Sequence, residues 1–490
     1  MTPLLLALTL AAPPQPFVIT VVDEHTGRGV PLVELTTTNH LRHVTDSAGV
    51  IAFDEPGLMN AEVHFTVSAH GYEYPKDGFG IRGVRLTTKP GGAATVKVKR
   101  VNIAERLYRL TGDGIYTECE KAGVKPPFDP TPKGGRIVGC DSVAVAEYQK
   151  KLFWIWGDTS QAKYPLGSFH TTAATSRLDT DPNRGVSFTY FGDGKGFVKG
   201  VALMPGKGPT WVEALFVLPG EGGREQLWAE FVKVEGLKAY ARGLAVFDDD
   251  KQEFVKKLDL SHDGPALPIG HAIRHGDHLY FGNPFPHVRI PATEAAFLDP
   301  TKYEAYTCVK SGSTLAKPDI DRDADGKPRY QWRTNAPHVS PEKQAEWIKK
   351  GLLKAGEGPI PLKDRASGQF VTMHRGSVNW NAYRKKWVMI ANQIGGKPSN
   401  LGEVWYAETD EPVGPWTEAV KVVTHDRMDF YNPKHRAVYQ ALIECYDQHS
   451  TADAILVEEV LNRNGHLEEA GGRENLLDMA ASVVSAAGVY

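Results

Sequence analysis

The sequence predicts a mainly β protein: a small β-sandwich, then a β-propeller of about five blades, then a short α-helical C-terminal segment. Three observations carry this. An apolar strand, a polar turn with Tyr and a Lys pair, and a second strand rich in aromatic and β-branched residues occurs at Ser142, Tyr148, Lys150-Lys151 and Leu152 to Trp156. It returns about 235 residues downstream at Ser377, Tyr383, Lys385-Lys386 and Trp387 to Ile390. Residues 17–100 alternate apolar and polar between turn clusters, and after Phe430 the apolar residues fall at helical spacing instead.

Composition sets the limits. The chain has 490 residues, 49 Gly and 33 Pro, enough for several domains and loop-rich throughout. A net charge of -3 with no basic run gives no electrostatic footprint for nucleic acid, which is not expected to be contacted directly. Leu4 to Leu10 followed by Ala11-Ala12 and Pro13-Pro14 resembles a secretory signal over residues 1–15, so a secreted or cell-envelope location is expected. No later run reaches the roughly 18 to 20 apolar residues of a membrane span. Cys119, Cys140, Cys308 and Cys445 allow three disulfide connectivities, and none sits in a CxxC.

Residues 16–101 read as the sandwich. Val18, Thr20 and Val22, then Val33 and Leu35, then Val63, Phe65 and Val67, then Val96 and Val98 alternate. Turns fall at Thr26-Gly27, Asp46 to Gly49 and Pro90 to Gly92. Asp23, Thr26-Gly27, Val30-Pro31, Thr45-Asp46, Gly49 and Phe53 make this stretch resemble the carboxypeptidase-regulatory-like, transthyretin-type sandwich, which implies an accessory module. Residues 102–135 are expected to hold a helix over Ile103 to Leu110 and a Pro-rich linker.

Residues 136–430 read as the propeller. Between the matching hairpins lie two more candidates, Leu244 to Phe247 with Phe254-Val255, and Ala272-Ile273 with Leu279 to Phe281. A sheet unit recurring at roughly 50 to 60 residues suits blades, and a β-sandwich with coincidental turns is the alternative. Gly402 to Glu408 followed by Val413-Gly414-Pro415-Trp416, with Trp156-Gly157-Asp158-Thr159 earlier, resembles the five-bladed glycoside-hydrolase propellers of the arabinanase and xylosidase type.

Glycoside hydrolysis needs two carboxyls, one protonated and one ionised, and innermost propeller strands converge to supply them. By position the candidates are Asp141, Asp158, Glu213 and Glu403. The resemblance implies Asp141 as base and Glu213 or Glu403 as acid. Asp158, Trp156, Trp211, His374 and Arg375 are expected to bind carbohydrate, although aromatic residues at alternating strand positions equally suit packing between blades. No cofactor and no metal are expected. His271, His275 and His278 flank a hairpin turn, which sends imidazoles to different sides. Asp321, Asp323, Asp325 and Gly326 copy half a calcium loop, but Trp332 stands at its twelfth position.

The last 60 residues, 431–490, read as helices. Phe430, Pro433, His435-Arg436, Val438-Tyr439, Ala441 and Tyr446, then Gly465 to Gly472 and Ser485 to Ala487, resemble part of the N-terminal domain of the DnaB-like replicative helicase. The resemblance implies docking of primase or helicase subunits in the cytoplasm. Gly194-Lys195, Gly206-Lys207, Gly326-Lys327 and Gly396-Lys397 all lack the Ser or Thr of a phosphate-binding loop, so no helicase or ATPase activity is expected from these residues. The change of pattern at Phe430 to His435 reads as a fusion of two unrelated segments.

Overall fold

The computed structural model describes residues 15–128, 137–162, 164–168 (backbone), 170–178, 185–382, 384–397, 399–427, 429–430 and 433. The expected signal, and all of the helical segment except Pro433, lie outside the described residues. The chain divides into two compact units. The first is Met1–Val101, Arg106–Tyr108 and Gly114–Pro127; the second is Asn102–Glu105, Arg109–Asp113 and Phe128–Tyr490.

The first unit holds two four-stranded sheets. One runs in the order Val50–Phe53, Phe17–Asp23, Ala93–Arg100, Tyr72–Glu73, and the other Arg42–Val44, Glu34–Thr37, Ala61–Ser68, Gly83–Thr88. Alternation along Phe17–Asp23 puts Phe17, Ile19 and Val21 into one core with Leu35, Phe65, Val67, Val96 and Val98. Asp46 organises the turn: its Oδ1 accepts from Ala48 N at 2.9 Å and Val50 N at 3.1 Å, and its Oδ2 from Cys119 N at 2.8 Å. That last bond satisfies a free amide at the start of the short helix Thr117–Ala122. The helix expected over Ile103 to Leu110 does not form. Arg106 instead donates to the carbonyls of Pro31 at 2.9 Å and His70 at 2.8 Å, tertiary bonds that local propensity does not register.

The second unit carries five sheets. Four are antiparallel meanders. The first comprises Ala144–Tyr148, Lys151–Trp156, Thr172–Arg177 and Thr189–Tyr190, and the second Thr210–Pro219, Glu225–Glu235, Lys238–Asp248 and Glu253–Leu260. The third comprises His271–His275, His278–Gly282, Pro286–Pro291, Glu304–Thr307 and Gln331–Thr334. The fourth comprises Met373–Asn381, Lys386–Gln393, Glu403–Thr409 and Glu418–Thr424, with Lys363–Asp364 added in parallel at its edge. The four hairpins read from the sequence open these sheets or close the second. The fifth sheet, Ile137–Asp141, Asp158–Gln161 and Tyr164–Ser168, has three strands and continues the first meander past a bend. The bend lies at Ser142, whose φ is 58°, opposite Gly157, where an added Cβ would stand 3.0 Å from that of Ser142.

Each meander begins on its innermost strand, and those strands lie side by side in chain order, from Ala144–Tyr148 through Thr210–Pro219 and His271–His275 to Met373–Asn381. Apolar side chains fill the gaps between consecutive sheets. Phe153 and Ile155 meet Leu215, Phe247 and Phe254; Phe216 and Trp228 meet Phe281 and Phe297; Ile273 and Tyr280 meet Met373, Trp387 and Trp405. This is blade-on-blade packing about shared inner strands, the propeller arrangement the recurrence predicts.

Candidate active site

Of the carboxyls that the sequence singles out, the structure sets Asp141 and Asp158 directly against each other. Asp141 closes Ile137–Asp141 and Asp158 opens Asp158–Gln161, and the two are direct cross-strand partners. Direct partners share a face, with Cβ atoms about 4.5 to 5.5 Å apart. Both residues are half-buried, and each has one buried oxygen, Oδ1, without a hydrogen-bond partner among the described residues. Burial raises the Asp158 carboxyl to about 6, and the charge of Asp141 pushes the same way. Burial also raises Asp141, against a hydrogen bond from Ser142 that lowers it. The pair therefore holds a proton more readily than free carboxylates do.

Thr159, next to Asp158, and Val212, next to Glu213, each hydrogen bond to one of two adjacent threonines, Thr172 and Thr171. Thr159 Oγ1 lies 2.7 Å from Thr172 Oγ1, and Thr171 Oγ1 accepts from Val212 N at 3.0 Å. Glu213 follows Val212 on the innermost strand of the second meander as the extra residue of a β-bulge, since Val212 pairs with Phe231 and Ala214 with Glu230. Its Oε2 accepts from Arg242 Nη1 at 2.6 Å, and its backbone carbonyl accepts from Gly270 N at 2.9 Å. His271 comes next, with Nε2 3.0 Å from Asn379 Oδ1 on the innermost strand of the fourth meander. Asn379 is buried, and its Nδ2 has no partner among the described residues. Whichever way the amide is turned, one end stays unsatisfied.

His374 and Arg375 form a second bulge, the two of them standing opposite Asn392 while Met373 pairs with Gln393 and Gly376 with Ala391. Arg375 N donates to Asn392 Oδ1 at 2.9 Å. Burial and the neighbouring Arg375 charge lower His374, whose Nδ1 is buried and unpartnered. His170, lowered by burial and by Lys233, likewise has an unpartnered Nδ1. Buried polar atoms without partners are rare in folded proteins; Asp141, Asp158, His170, His374 and Asn379 each carry one among the described residues, as do others elsewhere in the chain, such as His43, Arg333 and Trp416.

Two expected roles do not fit their positions. Glu403 begins the third strand of the last sheet, away from the innermost strand, and its Oε1 accepts from Lys421 Nζ at 3.1 Å. Trp156 is 1% exposed, stacks on Trp154 with ring centroids 6.4 Å apart and meets Phe188 edge-on. A sugar cannot reach it, because the strand Lys151–Trp156 is covered on both faces. The calcium half-loop is an ion-pair hub, in which Asp321 accepts from Arg329 Nη2 at 2.8 Å, from Gln331 Nε2 at 3.2 Å and from Arg333 Nη2. Trp211 is half-buried beside Val212, near the bulge.

Sequence reasoning passed over Glu230, Arg242, Asn379 and His170. Arg242 and Glu230 sit at strand positions whose charge breaks an apolar run, which is the signal that could have found them. His275 lies 3.6 Å from Glu411 and His278 2.7 Å from Asp277, so the three histidines of that hairpin face different partners. Among the described residues no group of three or more His, Cys, Asp or Glu is placed to hold a metal ion. Cys119, Cys140 and Cys308 are buried thiols without disulfides, and no helix among the described residues is long and apolar enough to cross a membrane.

The model of the DnaB-like helicase N terminal domain family matches residues 417–490. The replicative DNA helicase DnaB of Leifsonia xyli is 41% identical over 59 residues, which are 12% of this chain and 13% of that one. That of Mycobacterium leprae is 39% identical over 59 residues, 12% of this chain and 10% of the relative. This chain thus spans about an eighth of those relatives at most. The match begins one residue before the strand Glu418–Thr424 of the last sheet and so takes in that whole strand. Solved structures similar over the remainder include a GH43 enzyme from Xanthomonas citri complexed with xylotriose, 13% identical with a TM-score of 0.28 over 61% of this chain and 75% of that one. An alpha-L-arabinofuranosidase from Clostridium thermocellum is 10% identical, with a TM-score of 0.25 over 60% and 76%. Likeness at these scores is weak.

Proposed function

We propose that the propeller unit is a carbohydrate-active hydrolase whose reacting pair is Asp158 and Asp141. The observation that carries this is the direct opposition of two half-buried carboxyls, each with an unsatisfied oxygen, one raised to about 6. Glycosidic bonds break when an acid protonates the departing oxygen while an ionised carboxylate meets the positive charge growing at the anomeric carbon. Asp158 suits the acid, because it keeps its proton up to about pH 6, well above the range of an ordinary aspartate. Asp141 supplies the ionised partner. Glu213 is held by a 2.6 Å ion pair with Arg242, and it takes the role of binding sugar hydroxyls with Asn379, His374 and Arg375.

The test is release of reducing sugar from arabinan and xylan by the full chain. Asp141→Asn and Asp158→Asn should each lower kcat by about 100-fold or more, the scale of a lost acid or base. Unchanged turnover in either variant would remove that residue from the chemistry. Export belongs to the same reading and is checked by the mature N-terminus after expression with residues 1–15 present.

The match over residues 417–490 favours a second role for the tail, contact with replication proteins such as primase or helicase subunits. Recovery of primase by the full chain but not by a chain cut after Pro433 would support it. Equal recovery by both would end it.

A further inference from the structure

We propose that Arg242, braced by the buried carboxyl of Glu230, is a positioning residue that fixes the Glu213 carboxylate for sugar hydroxyls. This rests on the carboxylate-pair reading above and adds a third, separately built component to it. The geometry is specific. One nitrogen, Arg242 Nη1, donates to both acids, at 2.6 Å to Glu213 Oε2 and at 2.9 Å to Glu230 Oε1. The two acids differ in setting, the Glu213 side chain being 28% exposed and that of Glu230 0%.

Glu230 is an expensive residue to keep where it is. Its cross-strand partners are Ala214 and Leu244, both fully buried in an apolar cluster, and its Oε2 has no hydrogen-bond partner. An apolar residue there would pack at least as well, since a buried ion pair often stabilises less than the hydrophobic residues that replace it. Placement explains its presence better than stability does. Arg242 has several rotatable bonds, and a single contact to a half-exposed acid would leave its head free to swing. Anchoring the same nitrogen on a buried wall removes that freedom. The bulge then turns Glu213 out of strand register towards the guanidinium, and the Gly270 amide holds the Glu213 backbone at 2.9 Å. Bulge, guanidinium and buried acid act in series, so each has an effect only through the next.

The experiment measures kcat and KM of the full chain on 4-nitrophenyl α-L-arabinofuranoside and 4-nitrophenyl β-D-xylopyranoside. Arg242→Met should raise KM about tenfold or more with kcat changed far less, the size expected for a lost charge-assisted contact to substrate. Glu230→Leu should move KM the same way, whereas Glu230→Gln, which keeps an acceptor for Arg242, should stay near wild type. Arg242→Lys, which keeps the charge but not the fork, carries the same expectation as Arg242→Met should the latter fail to fold. A KM within twofold of wild type in Arg242→Met and Arg242→Lys, or a loss confined to kcat, overturns the proposal while leaving the carboxylate pair standing. A wild type that turns over neither glycoside, or an Asp158→Asn variant as fast as wild type, overturns both.

Discussion

At Asp158 two causes push in one direction, burial and the facing charge of Asp141, and the folded carboxyl titrates about two pH units above an unfolded one. The sign for stability follows. A folded acid whose pKa is raised binds its proton more tightly than the unfolded chain does, so its contribution is favourable below about pH 4 and is lost as pH rises through 6. Asp158→Asn removes that loss. The variant should be more stable than wild type at pH 7 by about 1–2 kcal/mol, discounted from the full shift because the group is half-exposed. The difference should vanish at pH 4, as read by urea denaturation at the two pH values. The same substitution abolishes turnover in the proposed reaction, so stability and activity should move in opposite directions. Wild-type turnover itself should fall as pH rises past 6, where the acid loses its proton.

Among the elements, the strands could be read from the sequence and the bulges could not. Alternation and turn residues placed the sandwich strands and the hairpins of the second unit, because period-two patterning and Gly, Asn or Asp turns are local properties. Glu213, His374 and Arg375 break that pattern by a single residue, and an extra residue becomes visible only once its partner strand is known. The Asp141–Asp158 opposition is also a matter of register, although both residues could be picked out where they flank the first hairpin. Trp156 shows the converse limit. An aromatic strand reads the same whether its rings meet sugar or the next sheet, and here they meet Phe188 and Trp154. Trp156→Ala should therefore cost about 3–5 kcal/mol of stability, as buried Trp truncations do, and leave KM unmoved if the variant is assayed well below its Tm. Register also bears on the products. Cross-strand partners have Cβ atoms about 4.5–5.5 Å apart, on the scale of the roughly 5–5.5 Å between the carboxyls of retaining enzymes, so proton NMR of the first-formed sugar should show the anomer of the substrate, and inversion would place water between a wider pair.

Over the whole molecule, sequence similarity and structure draw the last boundary in different places. The helicase-type match starts at residue 417, yet the strand Glu418–Thr424 pairs with Glu403–Thr409 as part of the last sheet. The sheet continues to hold the chain as far as Phe430, which is buried and whose N donates to Leu401 O at 2.9 Å. A chain ending after Pro433 should keep the wild-type Tm and turnover of the propeller unit, and one ending at 416 should lose soluble expression, since it exposes Val404 and Tyr406 on an unpaired edge. Fold class and the two kinds of C-terminal pattern were evident in the sequence. The change of pattern reads as lying at Phe430 to His435, whereas the family match begins at 417, because strand Glu418–Thr424 fits either reading until its pairing is known.

Asn392 has a mechanical consequence. Its Nδ2 donates to the carbonyl of Phe430, and its Oδ1 accepts from Arg375 N at 2.9 Å. One amide thus ties the departing chain to the innermost strand of the last sheet. Tension from anything that grips the tail would reach Phe430, held both by this amide and by its own N–H bond to Leu401 O, and through the amide would be felt at the kink carrying His374 and Arg375.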